Sequence, residues 1–437
     1  MKIKTFLKTK EFKIKLTISM ILLVLFSLSF LFADNFKTRF GLSVNFSRNE
    51  VSTTLLDNSD YKVHYLDVGQ GACSIIELPD GKIMIIDGGS DRNGEKICDF
   101  LKERDIDRID YLVATHADSD HIGGLNYIFD DFEIVNIFRP MQIAGTTIEE
   151  IDSNGQKSSH FEVFEKEDLK FAYEYLGSSK FVEVSSKRYR DFIENIYNET
   201  YVDDGEIKSS NICVFYDGLE ITGENYEITF YAPLISDLEI NFSTLSNTDG
   251  YLTKIYSNDA SNNSSAILLL NICGDKFFFS GDASSVRTES DNKTKFEESD
   301  FLNSLTEEEK IKLSNVDVYL VAHHGSKNST SEELLTLIKP DFAVISIGIN
   351  SYGHPNQEVI DRLNMANCLE TDGMLTTKDK GTISFINVDG EIVYASSLKY
   401  NKTSNVFEFE IFILILFVII EIFVINIRFR NENDLTC

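Results

Sequence analysis

The chain has 437 residues, 43% of them hydrophobic, and a formal net charge of -29. This length and apolar content exclude a disordered protein and allow one large domain or two ordinary ones. Residues 1–40 carry a net charge of +6 and residues 402–437 a net charge of -2, which leaves -33 on the stretch between them. Such an acidic surface repels nucleic acid and anionic membranes, so an anionic substrate must be captured locally.

The amino-terminal segment has the pattern of a membrane anchor. Residues 1–15 contain six lysines and one glutamate, and residues 16–33 contain no charged side chain. As a helix the second stretch would be about 27 Å long, close to the thickness of a bilayer core. Because this run is long and is followed by a poor cleavage site, we expect an uncleaved transmembrane helix, with a cleaved signal peptide as the alternative. The lysines predict a cytoplasmic basic tail and an extracytoplasmic body.

A second apolar run occupies residues 411–427 and is followed by an arginine-containing tail at 428–437. The pattern predicts a second transmembrane helix with its carboxyl end in the cytoplasm. Glu421 lies within this run and, if charged near the bilayer centre, would cost about 2.5–3.5 kcal/mol. We therefore expect it to face the first helix or a membrane partner, or the segment to lie in the interface.

The remaining chain is predicted as a linker at 34–60 and a folded domain at 61–397. Short β-branched runs alternate with helical patterns near both ends of this domain, which predicts an α/β protein with sheets packed between helix layers. Between about 145 and 262 the pattern loosens, which indicates an insertion containing a charged helical stretch at 161–176. Cys73 and Cys273 lie in apolar strand patterns and are predicted to be core residues.

Potential metal ligands cluster in "THADSDHIGG", residues 115–124, directly after a predicted strand. Imidazole and carboxylate groups at this density suit Zn²⁺ or Mn²⁺. Gly123 and Gly124 allow a tight entry into the next helix. The potential ligands of this loop are His116, Asp118, Asp120 and His121.

Two later strand ends have the same character. Asp282 follows the apolar run 277–279, and His323 and His324 follow the run 318–322. Strand ends that carry ligands can meet at one edge of a sheet, so we expect these side chains to share a site with the loop.

At these residues the chain resembles the metallo-β-lactamase superfamily, and more closely the extracytoplasmic hydrolase domain attached to ComEC-type DNA-uptake channels. The resemblance covers most of residues 61–397 and implies an αββα sandwich, here flanked by the two predicted transmembrane helices. The motifs that carry it are "LDVGQGACSII", "IIDGG", "THADSDHIGG", "NNSSAILLL", "SGD", "HHGS" and "YGHPNQEVIDRL".

The resemblance implies two divalent metal ions, Zn²⁺ or Mn²⁺. It implies that His116 and Asp118 bind one ion, that Asp120 and His121 bind the other, and that Asp282 bridges them. One of His323 and His324 would complete a metal shell, and both remain candidates. The superfamily's commoner loop has histidine at position 118, so the aspartate shifts the expected preference somewhat toward Mn²⁺.

Other residues are assigned supporting roles by the resemblance. Asp87 and Asp67 are expected to anchor the metal loop, although a simple turn residue is the alternative for Asp87. Asn263 stands near the place where many relatives have a histidine, and either replaces that ligand or leaves the position empty. His354 is expected to bind substrate or act as an acid, with an ordinary loop histidine as the alternative. His64 and His160 are predicted to have no role in the site.

These residues predict a membrane-anchored, extracytoplasmic hydrolase. Two ions about 3.5–4 Å apart would hold a hydroxide and stabilise charge on the oxygens of a phosphodiester substrate. Asp120 and His354 are the residues expected to carry catalysis, and cell-envelope phosphodiesters are a suitable target. The alternatives are a ComEC-like nuclease acting on DNA at the cell surface, which the acidic body disfavours, and a metal-bearing binding or sensory ectodomain without activity.

Overall fold

A computed structural model describes residues 50–51, 56, 59–140, 142–151, 153–164, 182–234, 261–285, 297–366 and 368–398. Within these ranges, no helix is long and apolar enough to cross a membrane. Both predicted transmembrane segments, 16–33 and 411–427, and with them Glu421, lie outside the described residues. Membrane anchoring and topology therefore remain predictions.

Strands and helices alternate along the described part of the chain. The strands are β1 Lys62–Tyr65, β2 Ser74–Glu77, β3 Ile83–Ile86, β4 Arg108–Val113, β5 Glu133–Arg139, β6 Gln142–Ile151, β7 Lys157–Val163, β8 Val182–Val184, β9 Thr200–Asp203, β10 Glu206–Ser209, β11 Asn211–Val214, β12 Glu220–Gly223, β13 Tyr226–Ala232, β14 Ile267–Ile272, β15 Asp275–Phe279, β16 Val318–Leu320, β17 Phe342–Ile345, β18 Met374–Thr376, β19 Ile383–Val388 and β20 Glu391–Ser396. The α-helices are α1 Gly94–Lys102, α2 Ser119–Ile122, α3 Leu125–Ile128, α4 Lys187–Asn198, α5 Glu297–Ser304, α6 Glu307–Leu313, α7 Glu332–Ile338, α8 Gln357–Ala366 and α9 Thr377–Lys380.

Two large mixed sheets organise the domain. The first has the order β11-β5-β4-β3-β2-β1-β19-β20 and the second β12-β13-β14-β15-β16-β17-β18. Strands β3, β4, β5 and β11 run parallel in the first sheet, and β15 to β18 run parallel in the second. Parallel neighbours end at the same edge of a sheet, so the loops that follow β3 and β4 lie together, as do those that follow β15 and β16.

The two sheets pack face to face through alternating apolar side chains. Val63 and Tyr65 of β1 enter the core between the sheets, and the Tyr65 ring lies 6.0 Å from that of Phe279 of β15. His64, which points to the opposite face of the same strand, contacts Phe100 of α1 with ring centroids 5.1 Å apart. This alternation is the period of two expected of a strand that is covered on both faces.

Helices cover the outer face of each sheet. Ile97 and Leu101, one turn apart on α1, pack with Phe192 and Ile196 of α4 against the first sheet. Helices α5, α7 and α8 bury apolar side chains against the second. The order of layers is helix, sheet, sheet, helix, which confirms the α/β sandwich predicted for this domain.

The segment predicted as an insertion contributes to both sheets. Strand β11 joins the first sheet, and β12 and β13 join the second. Strands β6, β7 and β8 form a separate three-stranded sheet. The segment between about 145 and 262 is thus partly an integral piece of the sandwich.

Two local predictions are wrong. Residues 161–163, expected to begin a helical stretch, lie in β7 and pair with β6, because "FEV" alternates apolar and polar residues as a strand does. Cys273 is exposed, not a core residue, because β14 ends at Ile272 and the next residue enters a turn with φ of 53°. Cys73 is buried, as predicted.

Candidate metal centre

Histidine and aspartate side chains from both sheets converge at one edge of the sandwich. His116 follows β4, and Asp282 and His324 follow β15 and β16. Two groups of three side chains place their ligand atoms within 4.8 Å of one another. We call these five residues the metal centre: the first triad is His116, His121 and Asp282, the second is Asp120, His121 and His324, and His121 belongs to both.

The distances within the metal centre link the two triads. His121 Nε2 lies 3.1 Å from Asp282 Oδ1 and 3.3 Å from His324 Nε2. His116 Nε2 lies 3.9 Å from Asp282 Oδ2, and His324 Nε2 lies 3.5 Å from Asp120 Oδ2. His121 therefore belongs to both triads, and Asp282 lies between His116 and His121.

The orientation of His121 is set by Asp87. The Asp87 carboxylate accepts a hydrogen bond from the Thr115 backbone N–H at 2.8 Å and from the Thr115 hydroxyl at 2.7 Å. It also lies 2.7 Å from His121 Nδ1. Because an ionised carboxylate only accepts, His121 Nδ1 carries the proton and Nε2 presents its lone pair to the centre. A carboxylate that orients a ligating imidazole in this way is a common feature of metal sites.

His324 is oriented by a backbone carbonyl. Its Nδ1 lies 2.8 Å from the carbonyl oxygen of Ser346, which only accepts a hydrogen bond, so Nδ1 carries the proton here too. The Nε2 atoms of His121 and His324 thus face each other as two acceptors, with Asp282 Oδ1 as a third. Acceptor atoms at this distance require a positive charge between them.

Buried polar atoms at the centre have no hydrogen-bond partner. His116 and Asp282 are buried, and within the described part of the chain neither His116 Nε2 nor Asp282 Oδ1 has a partner. Leaving such atoms unpaired costs about 1–3 kcal/mol each, and more for a charged group. Imidazole nitrogen and carboxylate oxygen are also the donors that Zn²⁺ and Mn²⁺ prefer. The residues present therefore fit a site for divalent metal ions.

The electrostatics of the centre favour a cation. Burial would lower the pKa of His121, but the charges of Asp282 and Asp87 outweigh burial and raise that pKa well above its ordinary value. Burial would likewise raise the pKa of Asp282, but the charges of the surrounding histidines lower it well below its ordinary value. The two shifts reflect the mutual attraction of carboxylate and imidazole groups where the ligand atoms meet, and the two aspartates supply the negative charge that a cation would balance.

Left-handed backbone conformations direct several of these side chains. Asp87, His323 and His324 have φ angles of 58°, 50° and 53°. A residue other than glycine rarely adopts this conformation, which costs of order 1–3 kcal/mol. Two consecutive left-handed residues turn the histidines after β16 in different directions. His324 is buried in the second triad, whereas the side chain of His323 is 23% exposed and its Nε2 lies 3.6 Å from Asp282 Oδ2.

The geometry therefore favours His324 over His323 as the buried ligand, a choice that the motif alone left open.

The backbone at Gly124, just after the metal loop, packs closely against the backbone of Gly88. A Cβ on Gly124 would lie 2.0 Å from the carbonyl oxygen of Gly88. Only glycine permits this approach between the "IIDGG" turn and the metal loop.

Some predicted residues lie at the edge of the centre. Asp118 is outside both triads; its side chain is 43% exposed and its Oδ2 lies 4.0 Å from His116 Nε2. His354 is partly buried beside His323, with ring centroids 5.7 Å apart. Its Nδ1 has no partner within the described ranges. Their predicted roles remain predictions.

Other predicted residues are not brought to the centre. Asp67 accepts a hydrogen bond from the Gly69 backbone N–H at 3.2 Å and pairs with Lys96 at 3.7 Å, with no contact to the metal loop in the described structure. Asn263 lies in a short 3₁₀ turn, and its Oδ1 is without a partner in the described structure. His64 contacts Ser384 and Glu77, away from the centre, and of the His160 side chain nothing is described.

Three supporting residues were absent from the prediction. Thr115 holds Asp87, the Ser346 carbonyl orients His324, and Ser265 Oγ accepts a hydrogen bond from the Asp282 backbone N–H at 3.1 Å. A hydroxyl next to a predicted ligand was a usable signal for Thr115. A backbone carbonyl has no signature in a sequence, so Ser346 was not predictable.

The four-layer sandwich and its histidine–aspartate centre define a metallo-β-lactamase fold. Residues 66–143 match the metallo-beta-lactamase superfamily, whose members are generally metal-dependent hydrolases. The predicted resemblance is therefore confirmed by this match and by the similarity of the chain to a ComE operon protein.

Two curated proteins illustrate this relation. "ComE operon protein 3" of Bacillus subtilis (strain 168) is 24% identical over 346 residues, which are 75% of this chain and 33% of the relative. "Recombination protein 2" of Haemophilus influenzae is 49% identical over 53 residues, 12% of this chain and 7% of the relative. The chain thus spans about a third of the length of the first relative and a smaller part of the second.

Solved structures with a similar outline include two metallo-β-lactamase-type proteins. The metallo-beta-lactamase fold protein YhfI from Bacillus subtilis has a TM-score of 0.35 and 9% identity. The match covers 74% of this chain and 98% of the YhfI chain. A diphosphatase from the PhnP family has a TM-score of 0.35 and 11% identity, covering 75% of this chain and 99% of its own.

Proposed function

We propose that the protein is a membrane-anchored, extracytoplasmic, metal-dependent phosphodiesterase. The observation that carries the proposal is the shared position of His121, whose Nε2 lies 3.3 Å from Nε2 of His324 and 3.1 Å from Oδ1 of Asp282. Two adjacent divalent ions suit this arrangement, and a pair of ions suits phosphodiester hydrolysis because both the attacked and the leaving oxygen carry negative charge.

When bound, the two ions would supply positive charge for the ester and water activated near neutral pH. The chain's own residues hold the ligands in place: Asp87 orients His121, and the Ser346 carbonyl orients His324. In the reaction a bond forms between the oxygen of water and phosphorus, one phosphorus–oxygen ester bond breaks, and the leaving alkoxide takes up a proton. We expect His354, whose ring centroid lies 5.7 Å from that of His323, to contact the substrate.

The charge of the protein favours small esters over long polyanions. The stretch between residues 41 and 401 carries -33, and extended nucleic acid depends on contacts between cations and many phosphates. A small phosphodiester needs only the local positive charge of the metal centre. Small phosphodiesters are therefore the favoured substrates, with those of the cell envelope as a suitable target, and a ComEC-like nuclease is the second candidate.

The test uses the full-length chain in detergent with Mn²⁺ or Zn²⁺ and measures hydrolysis of bis(p-nitrophenyl) phosphate. Wild type is expected to be active, and Asp120→Asn inactive but folded, because the side chain keeps its size and loses its charge. Asp203→Asn, which removes an exposed carboxylate paired with Lys208, is the matched control and is expected to retain activity.

The same assay separates the alternatives. Faster cleavage of single-stranded DNA than of small esters would support the nuclease. Metal-loaded wild type that is as inactive as Asp120→Asn on aryl phosphodiesters, single-stranded DNA and choline-phosphate esters would refute the proposal and indicate a binding module.

A further inference from the structure

An aromatic side chain stands at the opening of the metal centre. Tyr352 is 73% exposed, and its ring stacks on that of His354 with centroids 5.8 Å apart and planes inclined by 20°. The other side of His354 faces His323, at a centroid distance of 5.7 Å. His323 Nε2 in turn lies 3.6 Å from Asp282 Oδ2. A row of rings therefore leads from solvent to the metal centre.

The loop that carries Tyr352 is organised around one side chain. The Asn350 amide nitrogen donates to the carbonyl oxygens of Gly348 at 3.1 Å and His354 at 2.9 Å. The Asn350 amide oxygen accepts from the backbone N–H groups of Tyr352 at 3.0 Å and His354 at 3.2 Å. Four hydrogen bonds to one residue hold the loop in shape, which lowers the entropy lost when a ligand binds to it.

The same loop is attached to the turn that carries the histidines. The Asn356 backbone N–H donates to the carbonyl oxygen of Gly325 at 2.8 Å. Gly325 and Pro355 are in close contact, since a Cβ on Gly325 would lie 2.7 Å from Pro355 Cβ. The loop that carries Tyr352 is thus held directly against the turn that carries His323 and His324.

A single exposed tyrosine is common on protein surfaces and needs no explanation by itself. Tyr352 differs because its ring stacks on His354 while the residue remains largely exposed, and because its loop is held by hydrogen bonds. A flat ring with one free face is a suitable surface for stacking another planar ring. Stacking on a neutral ring needs no cationic surface, so it is compatible with the acidic body.

We propose that Tyr352 is a substrate-binding residue that stacks on a planar ring, of the size of a nucleobase, attached to the phosphodiester at the metal centre. This inference rests on the proposed phosphodiesterase function and narrows its substrates to esters that carry such a ring on the group retained after cleavage. Stacking between a base and an aromatic side chain changes affinity by roughly tenfold or more.

The test compares two substrates with the same leaving group: thymidine 5′-(p-nitrophenyl phosphate) and methyl p-nitrophenyl phosphate. In both, the oxygen of water bonds to phosphorus, the bond to nitrophenolate breaks, and nitrophenolate leaves with the electron pair while water's proton passes to solvent. Only the retained group differs. Wild type is expected to prefer the thymidine ester by roughly tenfold or more in kcat/KM.

Substitutions assign this preference to the ring. Tyr352→Ala is expected to lose most of the preference, and Tyr352→Phe to keep it, because phenylalanine retains the stacking face. Ile349→Ala, a change at a 94% exposed residue of the same loop, is the matched control and is expected to keep the preference. A preference that is equal in wild type and Tyr352→Ala would overturn the inference while leaving the phosphodiesterase function in place.

A binding measurement keeps the two proposals separate. By isothermal titration calorimetry the full-length protein is expected to bind the methyl ester of thymidine 5′-phosphate roughly tenfold more tightly than Tyr352→Ala does, and dimethyl phosphate equally. If wild type cleaves neither nitrophenyl ester but shows this difference in binding, the phosphodiesterase proposal fails and the stacking site stands. Equal binding of the thymidine ester by both proteins contradicts the stacking site.

Discussion

The Nε2 atoms of His121 and His324 lie 3.3 Å apart, and both are the acceptor nitrogens of their rings. Each ring donates its other nitrogen elsewhere, His121 to Asp87 and His324 to the Ser346 carbonyl. Two facing lone pairs are stable only with a positive charge between them, supplied by a proton or a metal ion. The unpartnered Nε2 of His116 and Oδ1 of Asp282 nearby favour the metal ion, because one proton cannot serve all of these atoms.

Asp87→Asn is expected to lower metal affinity by about 10- to 100-fold, the usual effect of removing a group that orients a ligand. Asparagine has one acceptor oxygen where the aspartate serves Thr115 and His121 together. Titration of metal-free protein with Zn²⁺ measures the effect. Asp110→Asn, where an amide oxygen can still accept from the Ile83 N–H, is the control; an equal loss in both variants would show a general effect on folding.

Asp118→His is expected to shift metal preference toward Zn²⁺, because imidazole suits zinc better than manganese. The exposed position of Asp118, 4.0 Å from His116 Nε2, leaves room for a longer side chain to reach the first triad. Competition between Zn²⁺ and Mn²⁺, read as bound metal by elemental analysis, measures the preference. An unchanged ratio would show that position 118 does not contact metal.

Glu199→Gln is expected to stabilise the protein above pH 7 and to change little at pH 4. Burial, with a smaller contribution from Glu133, raises the pKa of Glu199 from 4.5 to about 7. A carboxyl whose pKa is raised by folding is protonated in both states at low pH and ionised in both at high pH, where the folded state is disfavoured. Stability from this group therefore falls between pH 4.5 and about 7. Thermal unfolding of both proteins across this range provides the measurement.

The predicted topology places both termini in the cytoplasm and the acidic body outside. Protease added to intact cells should digest the body and leave tags at both termini protected. The lysines before the first apolar run and the arginines after the second are the physical reason. Digestion of the carboxyl-terminal tag would contradict the two-span arrangement, and a soluble mature protein would show that the amino-terminal run is cleaved.

Much of the site follows from local sequence signals. The strands before His116, Asp282 and His324 are apolar runs that end in ligands, so both the strands and the convergence of their ends were predictable. The choice between His323 and His324 was not, because it depends on two left-handed residues and on a carbonyl 22 residues away. Sequence patterns record side-chain chemistry, whereas this selection comes from backbone conformation and tertiary contacts.

The structure also differs from the prediction at Cys273 and Asp67, again because of backbone conformation and tertiary contacts. Cys273 continues an apolar run in sequence but follows the last residue of β14, so a turn exposes it. Asp67 precedes a glycine-rich turn, where its carboxylate binds the backbone of its own loop and Lys96 rather than the metal loop. In both cases local pattern indicated the element correctly, and the end of that element decided the environment of the residue.

The most direct test of the metal centre is the number of ions bound per chain. Wild type, freed of metal and then titrated with Mn²⁺ or Zn²⁺, is expected to bind two. His116→Ala, which alters only the first triad, should lose about one ion, and Asp282→Ala, whose carboxylate lies 3.1 Å from His121 and 3.8 Å from His324, should lose more than one. Equal metal content in wild type and Asp282→Ala would contradict the account.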